Sequence, residues 1–315
     1  MAMESSAQAV AQPGTKEDEL PAKLSHVIAT KAYKNAEFLD SSLARHVRIM
    51  CELQEPSHRL KQHGVENHFL VVGSHLTMLP EERDVQIAEL EQQLRASGPR
   101  AEMEAVGARL RFHKTMQPMD RFYVVAMDIG ERIARWSEDR SKKGLSTYHV
   151  CTGGGPGCME AANRGASKAG VLSLGLGSSR PEWGQMNNHV SSEGAFEFHY
   201  FFMRKFWMAN KAKGLVVLPG GYDVLDELFE LLALISSKRF TRSLPVLLLG
   251  SDFWKKAINF EYLVETSMVS KETLENVTYL DTAEEAFEIL VKQVDFAKSE
   301  GDHDPVPDAK RLRNS

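Results

Sequence analysis

Short apolar runs recur along this chain with helix-like stretches between them, and that alternation constrains the fold more than any other feature. HFLVV from His68, YHVCT at Tyr148–Thr152, VLSLGL at Val171–Leu176, GLVVL at Gly214–Leu218 and LPVLLL at Leu244–Leu249 read as strands, with VTYL before the last helix. Each run is apolar almost throughout rather than at alternate positions, which predicts strands buried on both faces. Between them the spacing is helical: Phe122, Val125, Ala126, Ile129 and Ile133 share one face. Further helices are predicted over 158–169, 199–213, 222–237, 253–264 and 284–297. Strands alternating with helices in this way specify an α/β fold, a doubly wound parallel sheet with helices on both faces. Ligands in such sheets sit at the carboxyl ends of the strands.

The rest of the chain is read around that core. Residues 25–300 are expected to form one domain, with tails at 1–24 and 301–315. Helical spacing runs from Ile28 to Leu53, and Pro56 is expected to interrupt it. A charged segment from Pro80 to Gln117, rich in Glu, Arg and Ala, reads as a helical insertion. Hydrophobic residues make up 43% of the 315, enough for a substantial core, and a net charge of −5 supplies no basic field to attract nucleic acid. No apolar run reaches the length of a membrane span. The N-terminal residues lack a basic and then apolar signal pattern. Cys51, Cys151 and Cys158 form no CxxC pair, which favours a reducing, cytoplasmic setting.

Two glycine turns follow predicted strands. In TGGGPGCMEAAN, Thr152–Asn163, glycines let backbone N–H groups approach an anion at a helix start. The spacing is not the dinucleotide GxGxxG, whose third glycine falls on Cys158 or Glu160, and no GK[ST] follows to make a phosphate loop of the nucleotide-triphosphatase kind. The second turn is Pro219-Gly220-Gly221. One such turn alone is as readily a packing device; two at neighbouring strand ends favour a nucleotide or sugar-phosphate crevice. Between them, Arg204 and Lys205 lie in the aromatic stretch Phe196–Phe206, where a guanidinium needs a carboxylate or a ligand anion as partner. Asp223, Asp226, Glu227 and Glu230 follow at i, i+3, i+4, i+7, one helix face. That face is either solvated or, with Glu227 opposite Arg204, placed to stabilise positive charge on a ribose during glycosidic-bond hydrolysis.

TGGGPGCMEAANRGA, FHYFFMRK and PGGYDVLDELFE together resemble the Lonely Guy family over about Asn67 to Lys298, in its larger, bacterial-type branch. Its members are phosphoribohydrolases, long labelled lysine decarboxylases, with a GGGxGxM turn, an Arg-Lys pair and PGGxGTxxE. The resemblance implies a Rossmann-like fold, usually dimeric, that releases the base from a nucleoside 5′-monophosphate, in some members a cytokinin ribotide, without metal or organic cofactor. By motif position it makes Arg204 and Glu227 the catalytic pair and Lys205 a substrate contact. It puts Gly73, Ser74, Gly154, Gly155, Met159, Gly220, Gly221 and Tyr222 at the substrate. The departure is Asp223-Val224, where the pattern has Gly-Thr. Asp223 brings a charge to a turn suited to phosphate, and by i, i+4 repulsion it is expected to raise the pKa of one carboxyl of the Asp223/Glu227 pair. Alternatively Asp223 is the N-cap of its helix. A carrier or binding protein of the same fold, without turnover, is the competing reading.

Overall fold

Seven strands among the described residues form one all-parallel sheet in the order β4-β3-β2-β1-β5-β6-β7. The computed structural model describes residues 29–96, 98–178, 186–239 and 244–299, and the side chains of the last helix up to 295; the tails expected at 1–24 and 301–315 lie outside the described residues. The chain divides into two compact units between Arg48 and Ile49. In the first, α1 (Ala36–Asp40) is capped by the Asn35 side chain, which accepts the Phe38 N–H at 3.2 Å. The Arg48 guanidinium donates to the carbonyls of Leu39 and Ser41.

α2 (Arg45–Gln62) leads into the second unit and corrects the expectation for Pro56, which lies inside the helix. Proline has no N–H to give to the carbonyl four residues back, that of Glu52. The Trp207 indole supplies the missing donor, bonding the Glu52 oxygen at 2.8 Å. The helix therefore continues through a residue that, on local grounds, should end it.

β1 (His68–Val72) is followed by the insertion, two helices α3 (Pro80–Arg95) and α4 (Arg100–Met116), and then by α5 (Arg121–Lys142). β2 (His149–Thr152), α6 (Cys158–Lys168), β3 (Leu174–Ser178) and β4 (Ala195–Phe198) complete one half of the sheet. α7 (Phe201–Asn210), β5 (Ala212–Val217), α8 (Tyr222–Ser236) and β6 (Val246–Leu249) open the other. Three short helices, α9 (Ser251–Ala257), α10 (Phe260–Glu265) and α11 (Lys271–Leu274), precede β7 (Val277–Leu280) and α12 (Ala283–Ser299). β4 was not expected: Phe196 and Phe198 are buried while Glu197 is exposed, an edge-strand alternation lying just before the helix expected over 199–213.

Alternation along the strands builds two cores. Leu70, Val72, Leu215, Val217, Val246 and Leu248 face Met203 and Trp207 of α7 and Leu228, Leu231 and Leu232 of α8. Phe69, Val71, Val150, Val216, Leu247 and Leu249 face α5, α6 and α12. Both faces are covered, which is why each strand reads as an unbroken apolar run. The chain steps outward from β1 to β4, then returns to the other side of β1 with β5. The strand order thus reverses beside β1, and a crevice opens there at the carboxyl ends. None of the helices described is long and apolar enough to cross a membrane.

Candidate active site

The turns after β1, β2 and β5 converge on that crevice, so the two glycine turns flank the end of β1 rather than sitting on neighbouring strands. An open cleft there is lined by Val72, Gly73, Gly153, Met159, Phe201, Arg204, Asp223, Val224 and Glu227. Arg204 comes from α7 and Glu227 from α8, and both are buried. The Arg204 guanidinium donates to Glu227 Oε1 at 2.8 Å and, through Nε, to the Leu176 carbonyl at 2.7 Å. Its central carbon lies 5.3 Å from the Phe201 ring centroid, a cation–π contact. The expected facing of Arg204 and Glu227 is therefore a direct, buried ion pair.

Gly153, absent from the residues singled out in the sequence, explains why the guanidinium can lie so deep. A Cβ there would stand 2.7 Å from an Arg204 guanidinium nitrogen and 2.9 Å from Met159 Sδ. Gly157, with φ +71°, is the N-cap of α6, and its Cβ would strike the backbone of Ser74 and His75. This close approach lets the Cys158 N–H reach the Ser74 carbonyl at 3.0 Å.

Burial raises the pKa of Glu227; Arg204 and Lys205 pull it down, while Glu230 and Asp226 add to the rise. Asp223 is not among the causes, so the expected i, i+4 repulsion is not what shifts this carboxyl. The acidic face of α8 is neither simply solvated nor turned as a whole to the cleft. Lys205 Nζ is held by Asp226 at 2.6 Å and Glu230 at 2.7 Å, so the residue expected as a substrate contact is engaged outside the cleft lining.

The remaining candidates divide in the same way. Gly73 and Met159 line the cleft with Asp223 and Val224. Ser74, Gly154, Gly155, Gly220, Gly221 and Tyr222 do not line it but shape the turns around it. The Gly154 N–H is taken by Thr152 Oγ1 at 2.9 Å, and the Asn187 amide donates to the Gly154 and Gly155 carbonyls, both at 3.1 Å. Tyr222 is 91% exposed. Asp223 is not the N-cap of α8; Gly221 is, and Asp223 is the second helical residue. Its Oδ1 accepts the Val224 N–H at 3.0 Å, and Oδ2 lies 3.5 Å from His75 Nδ1. Val224 is buried against Gly220, whose missing Cβ makes that packing possible. Val72, Phe201 and His75 escaped the sequence reading; only His75, directly after Gly73-Ser74, carried a local signal. Among the described residues, no three His, Cys, Asp or Glu side chains are grouped to hold a metal ion.

Comparison with known proteins agrees with the motifs. Residues 159–290 match the model of a family described as "Possible lysine decarboxylase". No curated protein matches the chain. A solved structure titled as the X-ray structure of TM1055, a Northeast Structural Genomics Consortium target, shares 21% identity with a TM-score of 0.41, covering 72% of this chain and 99% of that one. The matched segment carries both members of the buried pair, Arg204 and Glu227, and over it the chain is similar to the family so described, in keeping with the motif resemblance.

Proposed function

We propose that the cleft hydrolyses the N-glycosidic bond of a nucleoside or nucleoside 5′-monophosphate, giving the free base and ribose or ribose 5-phosphate. One observation carries this reading: a buried carboxylate, Glu227, held by a buried guanidinium at the lip of the sheet's reversal point. A buried ion pair contributes little net stability over an apolar pair of similar volume. Its place in the lining of a cleft, rather than sealed within the core, favours a chemical role.

The chemistry follows from that placement. As the C1′–N bond breaks, its electron pair leaves on the base nitrogen and positive charge grows on the ribose ring. Glu227 faces that charge and orients the water that adds to C1′; the base nitrogen takes up a proton. Arg204 favours the ionised form of Glu227 and aims it, since its second hydrogen bond, to Leu176, fixes the guanidinium on β3. Val72, Met159 and Phe201 offer apolar surface for a base. Phe201, Phe202 and Phe206 on α7 and Phe229 on α8 are 40–56% exposed, an apolar face suited to a symmetric homodimer. Light scattering is expected to give twice the monomer mass.

Chromatographic detection of base release from a panel of nucleosides and 5′-monophosphates, an isoprenylated adenosine monophosphate among them, tests the activity. The second reading, binding without turnover, is favoured by Asp223 and Val224, which stand where the resembled pattern has Gly-Thr. It predicts ligand binding with no base released by any member of the panel.

A further inference from the structure

We infer that Asp223 is a specificity-determining residue that turns the cleft toward the hydroxyl end of a nucleoside and away from a 5′-phosphate. This rests on the N-glycosidase reading and names the substrate class within it.

Charge is the first ground. Three charged side chains line the cleft, Arg204, Asp223 and Glu227. Arg204 and Glu227 are joined to each other and offset in charge, so the net charge of the lining is that of the Asp223 carboxylate. Lys205, the nearest further cation on α7, is held between Asp226 and Glu230. A phosphate entering beside Asp223 meets a like charge without a dedicated cation in the lining.

Geometry is the second. The first turn of α8 is where backbone N–H groups and the helix field would hold an anion. Here the protein's own carboxylate uses that end. Asp223 Oδ1 accepts the Val224 N–H, which also bonds the Gly221 carbonyl, and Oδ2 lies 3.5 Å from His75 Nδ1. Beneath it Val224 packs into the space left by Gly220, so the turn offers neither a hydroxyl nor room for an anion to settle deeper. What a carboxylate in this position does well is accept. Each oxygen has a further lone pair, and a sugar hydroxyl is a suitable donor.

The test compares a nucleoside and its 5′-monophosphate carrying the same base, adenosine with adenosine monophosphate and inosine with inosine monophosphate. The kcat/KM ratio is measured for the unaltered protein, Asp223→Asn and Asp223→Gly. The unaltered protein is expected to favour the nucleoside by tenfold or more. Both variants are expected to shift the ratio toward the monophosphate by at least tenfold, chiefly through KM for the phosphorylated substrate. A preference of the unaltered protein for the monophosphate, or an unchanged ratio in Asp223→Asn, overturns the assignment. If neither substrate is hydrolysed by any of the three proteins, the N-glycosidase reading falls. The same two pairs of ligands are then titrated calorimetrically into the unaltered protein and Asp223→Asn. Tighter nucleoside binding that reverses in the variant upholds the selectivity, whereas equal binding or no binding of either ligand overturns it.

Discussion

Glu227 is a carboxylate whose own surroundings oppose its ionisation. Burial raises its pKa, with Arg204 and Lys205 acting against the rise. The proposed chemistry needs the ionised form, so the acid limb of kcat against pH is expected above the ordinary carboxylate range; a limb within or below that range contradicts the role. The folded protein also binds this proton more tightly than the unfolded chain does. Its stability contribution is therefore full at acid pH and is lost as pH rises through the folded value. Val224 gives a second prediction at this scale. It is 3% exposed within the α8 core face, so Val224→Thr buries a hydroxyl without a made partner. A loss of about 1–3 kcal/mol is expected by chemical denaturation. The threonine of the pattern it resembles is thus not restored by one substitution, because the site around Val224 is apolar. Asp223 was legible as a departure, but its partner was not. His75 is far away in sequence, and only the meeting of the β1 and β5 turns brings the two to 3.5 Å.

Among the elements, the inserted α3–α4 pair has a clear anchor. Arg83 on α3 is fully buried and donates to Asp120 through Nε at 2.6 Å and Nη2 at 2.9 Å, and to the Leu76 carbonyl at 2.7 Å. Asp120 also accepts the Met78 N–H at 3.0 Å. Both residues thus grip the loop after β1, the loop that supplies Gly73 and His75. Arg83→Met leaves Asp120 buried without its cation, with an expected cost of about 3–5 kcal/mol. His113 of α4 completes the cluster, its Nδ1 3.0 Å from Arg83 Nη1. Burial first, then Arg83 and Arg109, lowers its pKa, with Asp120 opposing. Burial lowers His149 as well, against the Leu172 carbonyl. A depressed histidine contributes stability that is present above its unfolded pKa and lost as pH falls through the folded value. Denaturation midpoints are expected to fall between pH 7 and pH 5, and to fall less in His113→Gln; an equal fall in the variant removes His113 from the account. The insertion was legible as helix from composition. Its anchor was not, since nothing in the sequence separates Arg83 from its exposed charged neighbours.

For the molecule as a whole, the central strands were readable because both of their faces are buried, which leaves a continuous apolar signal. Features decided by tertiary contact were not. The Trp207 indole lets α2 pass through Pro56, and β4 exists because β3 offers it an edge. The sheet order was also hidden, and with it the fact that β1 separates the two glycine turns. Yet the facing of Arg204 and Glu227 was read from residue type and spacing, with the catalytic role implied by the resemblance, and the sheet's reversal point brings the two to one cleft. The central claim is that Glu227 performs base release there. The most direct measurement compares the unaltered protein with Glu227→Gln for base release, and for ligand binding by calorimetry. A fall in kcat of at least about a hundredfold, with binding largely kept, is the expected result. Turnover by Glu227→Gln at the unaltered rate contradicts the account.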